Sequence, residues 1–99
     1  MMTVEKTLNG AELNIKVAGR LDTTTAPELE KELTESISGA EKLALDFADL
    51  EYLSSAGLRV LLQAQKIMNK QGEMVVKNVN ETIMEIFEVT GFTDFLTIE

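Results

Sequence analysis

The sequence contains no cysteine, no histidine and no tryptophan, and it has a single proline. Without cysteine, disulfides, zinc-thiolate sites, iron–sulfur clusters and cysteine nucleophiles are all excluded. The lack of histidine removes the commonest general base and metal ligand, so carboxylates, hydroxyls and lysines would have to carry any reaction. We therefore expect a protein that is not an enzyme and that holds neither a cofactor nor a metal ion.

Positive charge is also scarce. The sequence has nine lysines and arginines but 17 aspartates and glutamates, which gives a formal net charge of -8. This excess would repel the phosphates of nucleic acids and an anionic membrane surface. The first residues lack the basic-then-apolar layout of a secretory signal, and no apolar run approaches the roughly 18 residues of a membrane span. The sequence predicts a cytoplasmic protein whose partners include neither nucleic acid nor a membrane.

Apolar periodicity predicts one α/β domain over residues 1–99. The Asn9-Gly10 pair is typical of a tight turn between two strands, and Leu13, Ile15 and Val17 place one face of the second strand in the core. Beyond this hairpin we predict helices over 25–39, 55–72 and 80–91, and strands over 43–47, 73–79 and 95–98. The resulting order, β-β-α-β-α-β-α-β, indicates a mixed, mostly parallel sheet, because each helix returns the chain across the sheet.

Three local details belong to this prediction. Thr25 and Glu28 have the spacing of a capping box, which predicts that the threonine side chain caps the first helix. The nearly continuous apolar run 43–47 predicts a strand covered on both faces, and residues 48–53 are expected to be a short link. Asp46 interrupts the apolar run, and we expect it to have a structural role.

Functional groups in parallel sheets gather where the strands end, which directs attention to residues 20–25 and 53–57. Ser54 and Ser55 offer two adjacent hydroxyls at a helix start, where serine usually caps free backbone amides. A phosphoryl group attached here would instead lie over the positive end of the helix. Gly57 in the first turn suggests either close approach by another molecule or tight packing within the domain.

Two further groups are candidate contacts. Asp22 and Thr23 follow the second strand and should lie beside the serines, although they could form only a polar turn. Arg59 and Gln63 recur on the one polar face of the second helix, just beyond Ser55. We expect this pair to contact a partner or to form a merely solvated stripe.

The run "LALDFADLEYLSSAGLRVLL" resembles the signature of the STAS domain family, and the upstream "GRLDTTTAPEL" is similar to the family's Gly-x-Leu-Asp segment. Bacterial anti-sigma factor antagonists and the tails of sulfate transporters belong to this family. In the matching register Ser55 occupies the position of the phosphorylated serine and Gly57 that of the following glycine. Ser54 stands where the family often has aspartate, which makes it the second candidate acceptor.

The resemblance implies a STAS-like fold and a specific activity. The unphosphorylated form would bind an anti-sigma factor that is also a serine kinase of the GHKL type, and would thereby free a sigma factor. Phosphorylation of Ser55 would abolish binding, and a serine phosphatase would restore it. Asp22, Thr23, Ser54, Ser55, Gly57, Arg59 and Gln63 are the expected contact residues.

Two other functions are open. A hydrolase using Ser55 as nucleophile is disfavoured, because the sequence lacks both a nucleophile-elbow pattern and a histidine to activate the alcohol. The same fold could also serve as an unswitched interaction or small-ligand module in a larger sensory complex, with Ser55 as no more than a cap.

Overall fold

A computed structural model describes residues 2–99. It begins with the predicted antiparallel hairpin, in which β1 (Met2–Asn9) pairs with β2 (Glu12–Leu21). Asn9 pairs with Glu12, so Gly10 and Ala11 form the two-residue turn rather than Asn9 and Gly10. Gly10 has a φ of 63°, which is typical of the first central position of a type II′ turn.

The rest of the sheet runs parallel to β2. Along the same side of β2 lie first β3 (Lys42–Asp46) and then β4 (Leu50–Leu53), and β5 (Glu73–Lys77) pairs with the far edge of β3. The strand order is therefore β1-β2-β3-β5, with β4 continuing the line of β3 along β2. This mixed, mostly parallel α/β sheet confirms the predicted fold class.

Residues 48–53 are more than the expected link. Only residues 47–49 interrupt the strand, and the Gly19 amide donates to the Asp49 carbonyl across this interruption. The apolar periodicity could not reveal β4, because Leu50 and Leu53 face the core while the two residues between them are exposed. The prediction of a plain link was wrong, and β4 carries the chain to the start of the second helix.

Three helices complete the fold: α1 (Ala26–Ser36), α2 (Ser55–Gln71) and α3 (Glu81–Thr90). Residues from all three join one core cluster with the inward-facing residues of the strands, including Leu29, Leu61 and Phe87. The outward-facing side of the sheet is different. Ala44 lies outside this cluster and lines an open groove with Asn14 and Lys16, yet its side chain is buried. Leu43, Ala44 and Leu45 are all buried, as predicted for a strand covered on both faces.

The predicted last strand is reduced to a single bridge. Residues Phe92–Asp94 form a 3-10 turn, and only Ile98 bridges β5, at Val76. The position at the sheet edge was predicted correctly, but the extended length was wrong. Phe92 packs edge-to-face against Phe95, which ends the turn, with 5.9 Å between the ring centroids. This local packing favours the turn conformation at Phe95 over the extended conformation of a strand.

The predicted capping box of α1 does not form. Thr25 occupies the N-cap position, but its side chain makes no capping bond to the helix. Its hydroxyl donates to the Arg20 carbonyl over 2.7 Å and accepts from the Asp22 amide over 2.8 Å. Thr25 therefore closes the turn between β2 and α1, which holds that turn beside the end of β4.

Candidate functional site at the carboxyl edge of the sheet

The ends of β2 and β4 bring the two candidate segments together. Leu21 pairs with Leu53, and directly beyond this pair the Ser54 amide donates to the Leu21 carbonyl over 2.9 Å. Asp22 and Ser54 consequently follow neighbouring strands at the same edge. The expectation that residues 20–25 lie beside residues 53–57 is confirmed, and we call this surface the carboxyl edge.

Ser54 is the residue that caps α2. Its backbone is extended, with φ -95° and ψ 173°, and its hydroxyl oxygen accepts a hydrogen bond from the Gly57 amide over 3.3 Å. An extended backbone and a side-chain oxygen that accepts from the third following amide define an N-cap serine. The capping function of the serine pair is thereby assigned to Ser54.

Ser55 is the first residue of α2 and is exposed. Within residues 2–99, its hydroxyl takes part in no side-chain hydrogen bond, unlike that of Ser54. The first turn of α2 contains no acidic residue, so the positive end of this 17-residue helix is not neutralised by its own side chains. Ser55 therefore presents a free hydroxyl to solvent at a position that favours an attached anion.

Gly57 is buried beneath the two serines. A Cβ atom at this position would lie 2.7 Å from Leu21 Cγ and 2.7 Å from Leu53 Cδ1. Contacts this short do not occur between real side chains, so the glycine allows α2 to pack closely on the ends of β2 and β4. Of the two interpretations of Gly57, the structure supports tight packing within the domain, and a role in partner contact stays a prediction.

Asp22 organises the turn that faces the serines. Its Oδ1 atom accepts from the Thr24 hydroxyl over 2.7 Å, from the Thr24 amide over 2.9 Å and from the Thr25 amide over 3.2 Å. These donors, above all the Thr24 hydroxyl, lower the pKa of the Asp22 carboxyl below its ordinary value of 3.8. Asp22 is therefore ionised at neutral pH, and it holds the turn in shape.

Thr23 and Arg59 line a shared groove of about 220 Å³ between the starts of α1 and α2. Both side chains are exposed, and Ala56 and Glu30 contribute to the same walls. Gln63 is also exposed and lies one turn further along α2, in a neighbouring crevice beside Leu33 and Ile67. The structure thus brings Thr23 and Arg59 together, while Gln63 extends the polar face away from the serines.

Sequence reasoning did not predict the contact between Arg20 and Tyr52. These residues are paired across β2 and β4, and the Arg20 guanidinium carbon lies 4.3 Å from the centre of the Tyr52 ring. Arg20 Nε is also 3.8 Å from Asp22 Oδ2. The side chains of Arg20 and Tyr52 are both exposed. Stacked arginine and tyrosine side chains are typical of binding hot spots. No periodicity in the sequence indicates this pairing, which depends on the register of β4.

Asp46 has the predicted structural role at the end of β3. Its Oδ1 atom accepts from the Ala48 amide over 2.9 Å and from Asn78 Nδ2 over 3.1 Å. These bonds, the Ala48 amide first among them, lower the pKa of the Asp46 carboxyl. Asp46 therefore fastens the interruption before β4 to the end of β5.

The family of this chain follows from its similarity to known proteins. The family model of the STAS domain matches residues 3–99. The chain belongs to the STAS domain family. Among curated STAS relatives, it is 37% identical over 82 residues to a proposed anti-sigma factor antagonist, BtrV, of Bordetella bronchiseptica, covering 81% of this chain and 71% of that protein. It is 28% identical to the anti-sigma-B factor antagonist of Bacillus subtilis, covering 98% of this chain and 90% of that protein.

Solved structures show the same STAS fold. An anti-sigma factor antagonist from Mycobacterium paratuberculosis matches with a TM-score of 0.90 and 21% identity, over 99% of this chain and 85% of that one. The unphosphorylated form of the antagonist SpoIIAA matches with a TM-score of 0.83 and 16% identity, over 100% of this chain and 88% of that one. At these identities the likeness concerns the fold alone.

No helix within residues 2–99 has both the length and the apolar character needed to cross a membrane. Over the same residues, no cluster of three or more acidic side chains is arranged to hold a metal ion.

Proposed function

We propose that this STAS domain is an anti-sigma factor antagonist that is switched by phosphorylation of Ser55. In its unphosphorylated form it binds an anti-sigma factor that is also a serine kinase of the GHKL type, and a sigma factor is released. A serine phosphatase reverses the modification. The protein is then a substrate and an adaptor and has no catalytic activity of its own.

The observation that carries this proposal is that the two serine side chains are bonded differently. Ser54 is engaged in capping α2, whereas Ser55 is exposed and its hydroxyl is free. A kinase could therefore modify Ser55 without breaking a bond that stabilises the fold. The names of the Bordetella bronchiseptica and Bacillus subtilis relatives support the anti-sigma factor antagonist part of the proposal.

The proposed contact surface is the carboxyl edge. Thr23 and Ser55 are exposed there, and the exposed side chains of Arg59 and Gln63 continue the surface along α2. The stacked pair of Arg20 and Tyr52 adds an arginine and an aromatic ring. Asp22 and Ser54 shape this surface through their hydrogen bonds. Gly57 lies beneath it and sets the approach of α2 to the strands.

Phosphorylation would act on this surface by charge. A phosphoserine adds roughly 1.5 to 2 negative charges at neutral pH. The helix start tolerates that charge within the domain, because the free amides of the first turn point toward it. A partner surface matched to a neutral hydroxyl would be repelled, so binding would be lost without refolding.

The decisive experiment is modification by a cognate kinase. The protein would be incubated with the kinase and ATP, and its intact mass measured. We expect a gain of one phosphoryl group, lost in Ser55→Ala and retained in Ser54→Ala. A gain that disappears only in Ser54→Ala would move the switch to the second candidate acceptor. Absence of any gain would instead favour the unswitched interaction module.

A further inference from the structure

Both arginines of the chain lie at the carboxyl edge. Arg20 is at the end of β2, and Arg59, in the second turn of α2, lines a groove with Thr23 beside the edge. None of the seven lysines falls within residues 20–25 or 53–57 or lines that groove. Arginine binds carboxylates and phosphates through a planar fork of donors, which lysine cannot match. On a chain with a net charge of -8, this placement gives the edge a local capacity to bind anions.

The two arginines differ in how they are engaged. Arg20 stacks on Tyr52 and lies near Asp22. Arg59 is exposed, and the ion pairs found within residues 2–99 at 4.0 Å or less all join other side chains. Glu30 of α1 lines the same groove but forms no such pair with Arg59. The guanidinium of Arg59 is therefore available to a new anion.

The helix places this free cation next to Ser55. Residues four apart on a helix are neighbours on its surface, with Cβ atoms about 5–6 Å apart. Ser55 and Arg59 have this spacing, and both are exposed. An anion four residues before a cation is also the more favourable of the two orders along a helix.

We propose that Arg59 binds the phosphoryl group of phosphorylated Ser55 within the same helix, so that modification also withdraws a free guanidinium from the contact surface. This inference rests on the proposed function for the occurrence of the phosphoryl group. The unmodified edge presents a neutral hydroxyl and an unpaired arginine. The modified edge presents a phosphate–arginine pair, which can no longer bind a partner carboxylate.

The test places the phosphoryl group directly, so it does not depend on any kinase. Phosphoserine would be incorporated at position 55 during translation with an expanded genetic code, and its second pKa measured by ³¹P NMR titration. The variants are Arg59→Gln, which removes the cation, and Arg59→Lys, which keeps the charge without the fork. Lys66→Gln is the matched control, because it removes one exposed positive charge from α2 three turns away from residue 55.

We expect the phosphoserine pKa to be about 0.3 unit higher in Arg59→Gln than in the parent, because the cation that favours the dianion is gone. Arg59→Lys should give an intermediate value, and Lys66→Gln should match the parent. The free amides of the first turn are present in every variant, so the difference reports Arg59 alone. Equal pKa values in the parent and Arg59→Gln would overturn the inference, as would an equal rise in Lys66→Gln.

These outcomes are separate from those of the proposed function. A failure of kinase modification would leave the measured coupling between phosphoserine and Arg59 intact. Conversely, a kinase could modify Ser55 in a protein whose Arg59 variants leave the phosphoserine pKa unchanged. Circular dichroism spectra that match the parent would establish that each variant is folded.

Discussion

At the scale of single residues, two neighbouring serines have different functions because α2 begins between them. Ser54 has an extended backbone and turns its oxygen back to the helix, whereas Ser55 is already helical and turns outward. One residue step therefore separates a hydroxyl that caps the helix from an exposed one that takes part in no side-chain hydrogen bond within residues 2–99.

This difference predicts unequal losses of stability. Ser54→Ala removes the N-cap bond and should lower the free energy of unfolding by about 1 kcal/mol. Ser55→Ala, the matched control, should change it by no more than about 0.5 kcal/mol, as expected for an exposed residue without such a bond. Urea denaturation of both variants measures the difference, and equal losses would contradict the assignment of the cap to Ser54.

For the substitution Gly57→Ala, helix propensity and packing favour opposite changes in stability. Alanine is favoured over glycine within helices by about 1 kcal/mol, so an unhindered substitution would stabilise the protein. Here the new Cβ would meet Leu21 and Leu53 at 2.7 Å, and we expect Gly57→Ala to destabilise by about 1–3 kcal/mol. Thermal unfolding tests this, with Leu53→Val as a second change that should recover part of the loss. An increase in stability would show that the contact is easily relieved.

Asp22 predicts a dependence of stability on pH. The Thr24 and Thr25 donors lower the pKa of the Asp22 carboxyl in the folded state. The ionised carboxylate therefore stabilises the fold at pH values above 3.8, and this stabilisation is lost as the pH falls through the lowered pKa. Asp22→Asn should therefore destabilise most near neutral pH and least in strong acid. Denaturation across this range checks the sign, and Thr24→Val should raise the pKa of Asp22 toward its ordinary value.

At the scale of elements, α3 is joined to β4 by one side chain. Asn80 accepts from the Ile83 amide over 2.9 Å as the cap of α3, and its Nδ2 donates to the Leu50 carbonyl over 2.8 Å. The second bond satisfies a carbonyl at the start of β4, which lies beyond the ladder between β3 and β5. The same residue therefore begins a helix and fixes its position against the sheet.

Two substitutions separate these roles. Asn80→Asp keeps the capping oxygen and loses the donor to Leu50, so it should lower the free energy of unfolding by about 1 kcal/mol. Asn80→Ala loses both interactions and should lower it by about 2 kcal/mol. Chemical denaturation would measure both values. A loss in Asn80→Asp as large as in Asn80→Ala would mean that the cap contributes little.

At the scale of the whole molecule, the proposed switch combines the net charge of the chain with the exposed hydroxyl of Ser55. The chain carries -8 before modification, and a further negative charge at Ser55 lies in the middle of the proposed contact surface. We expect the fold to accept this charge without rearrangement, because Ser55 is exposed and residues of all three helices join one core cluster.

We expect Ser55→Asp to weaken binding to the anti-sigma factor by at least about tenfold, because even 1.4 kcal/mol of repulsion suffices for that. Ser55→Ala should bind as the unmodified protein does. Calorimetry or surface plasmon resonance would compare the two, and matching melting curves would exclude unfolding as the cause. Equal affinities would contradict charge as the mechanism.

The sequence by itself determined the hairpin, the three helices and the parallel strands between them, because these depend on local turn signals and on apolar periodicity. It also placed Asp22 and Ser55 at one edge, since the ends of parallel strands meet there. The hydroxyl of Thr25 bonds Arg20 and Asp22 within the turn before α1, which its capping-box spacing did not indicate. The stacking of Arg20 on Tyr52 and the internal contacts of Gly57 were decided by tertiary structure. Each depends on β4, a strand of only four residues. Its pairing with β2 joins residues that are far apart in the sequence, and its apolar residues do not alternate as those of a strand usually do.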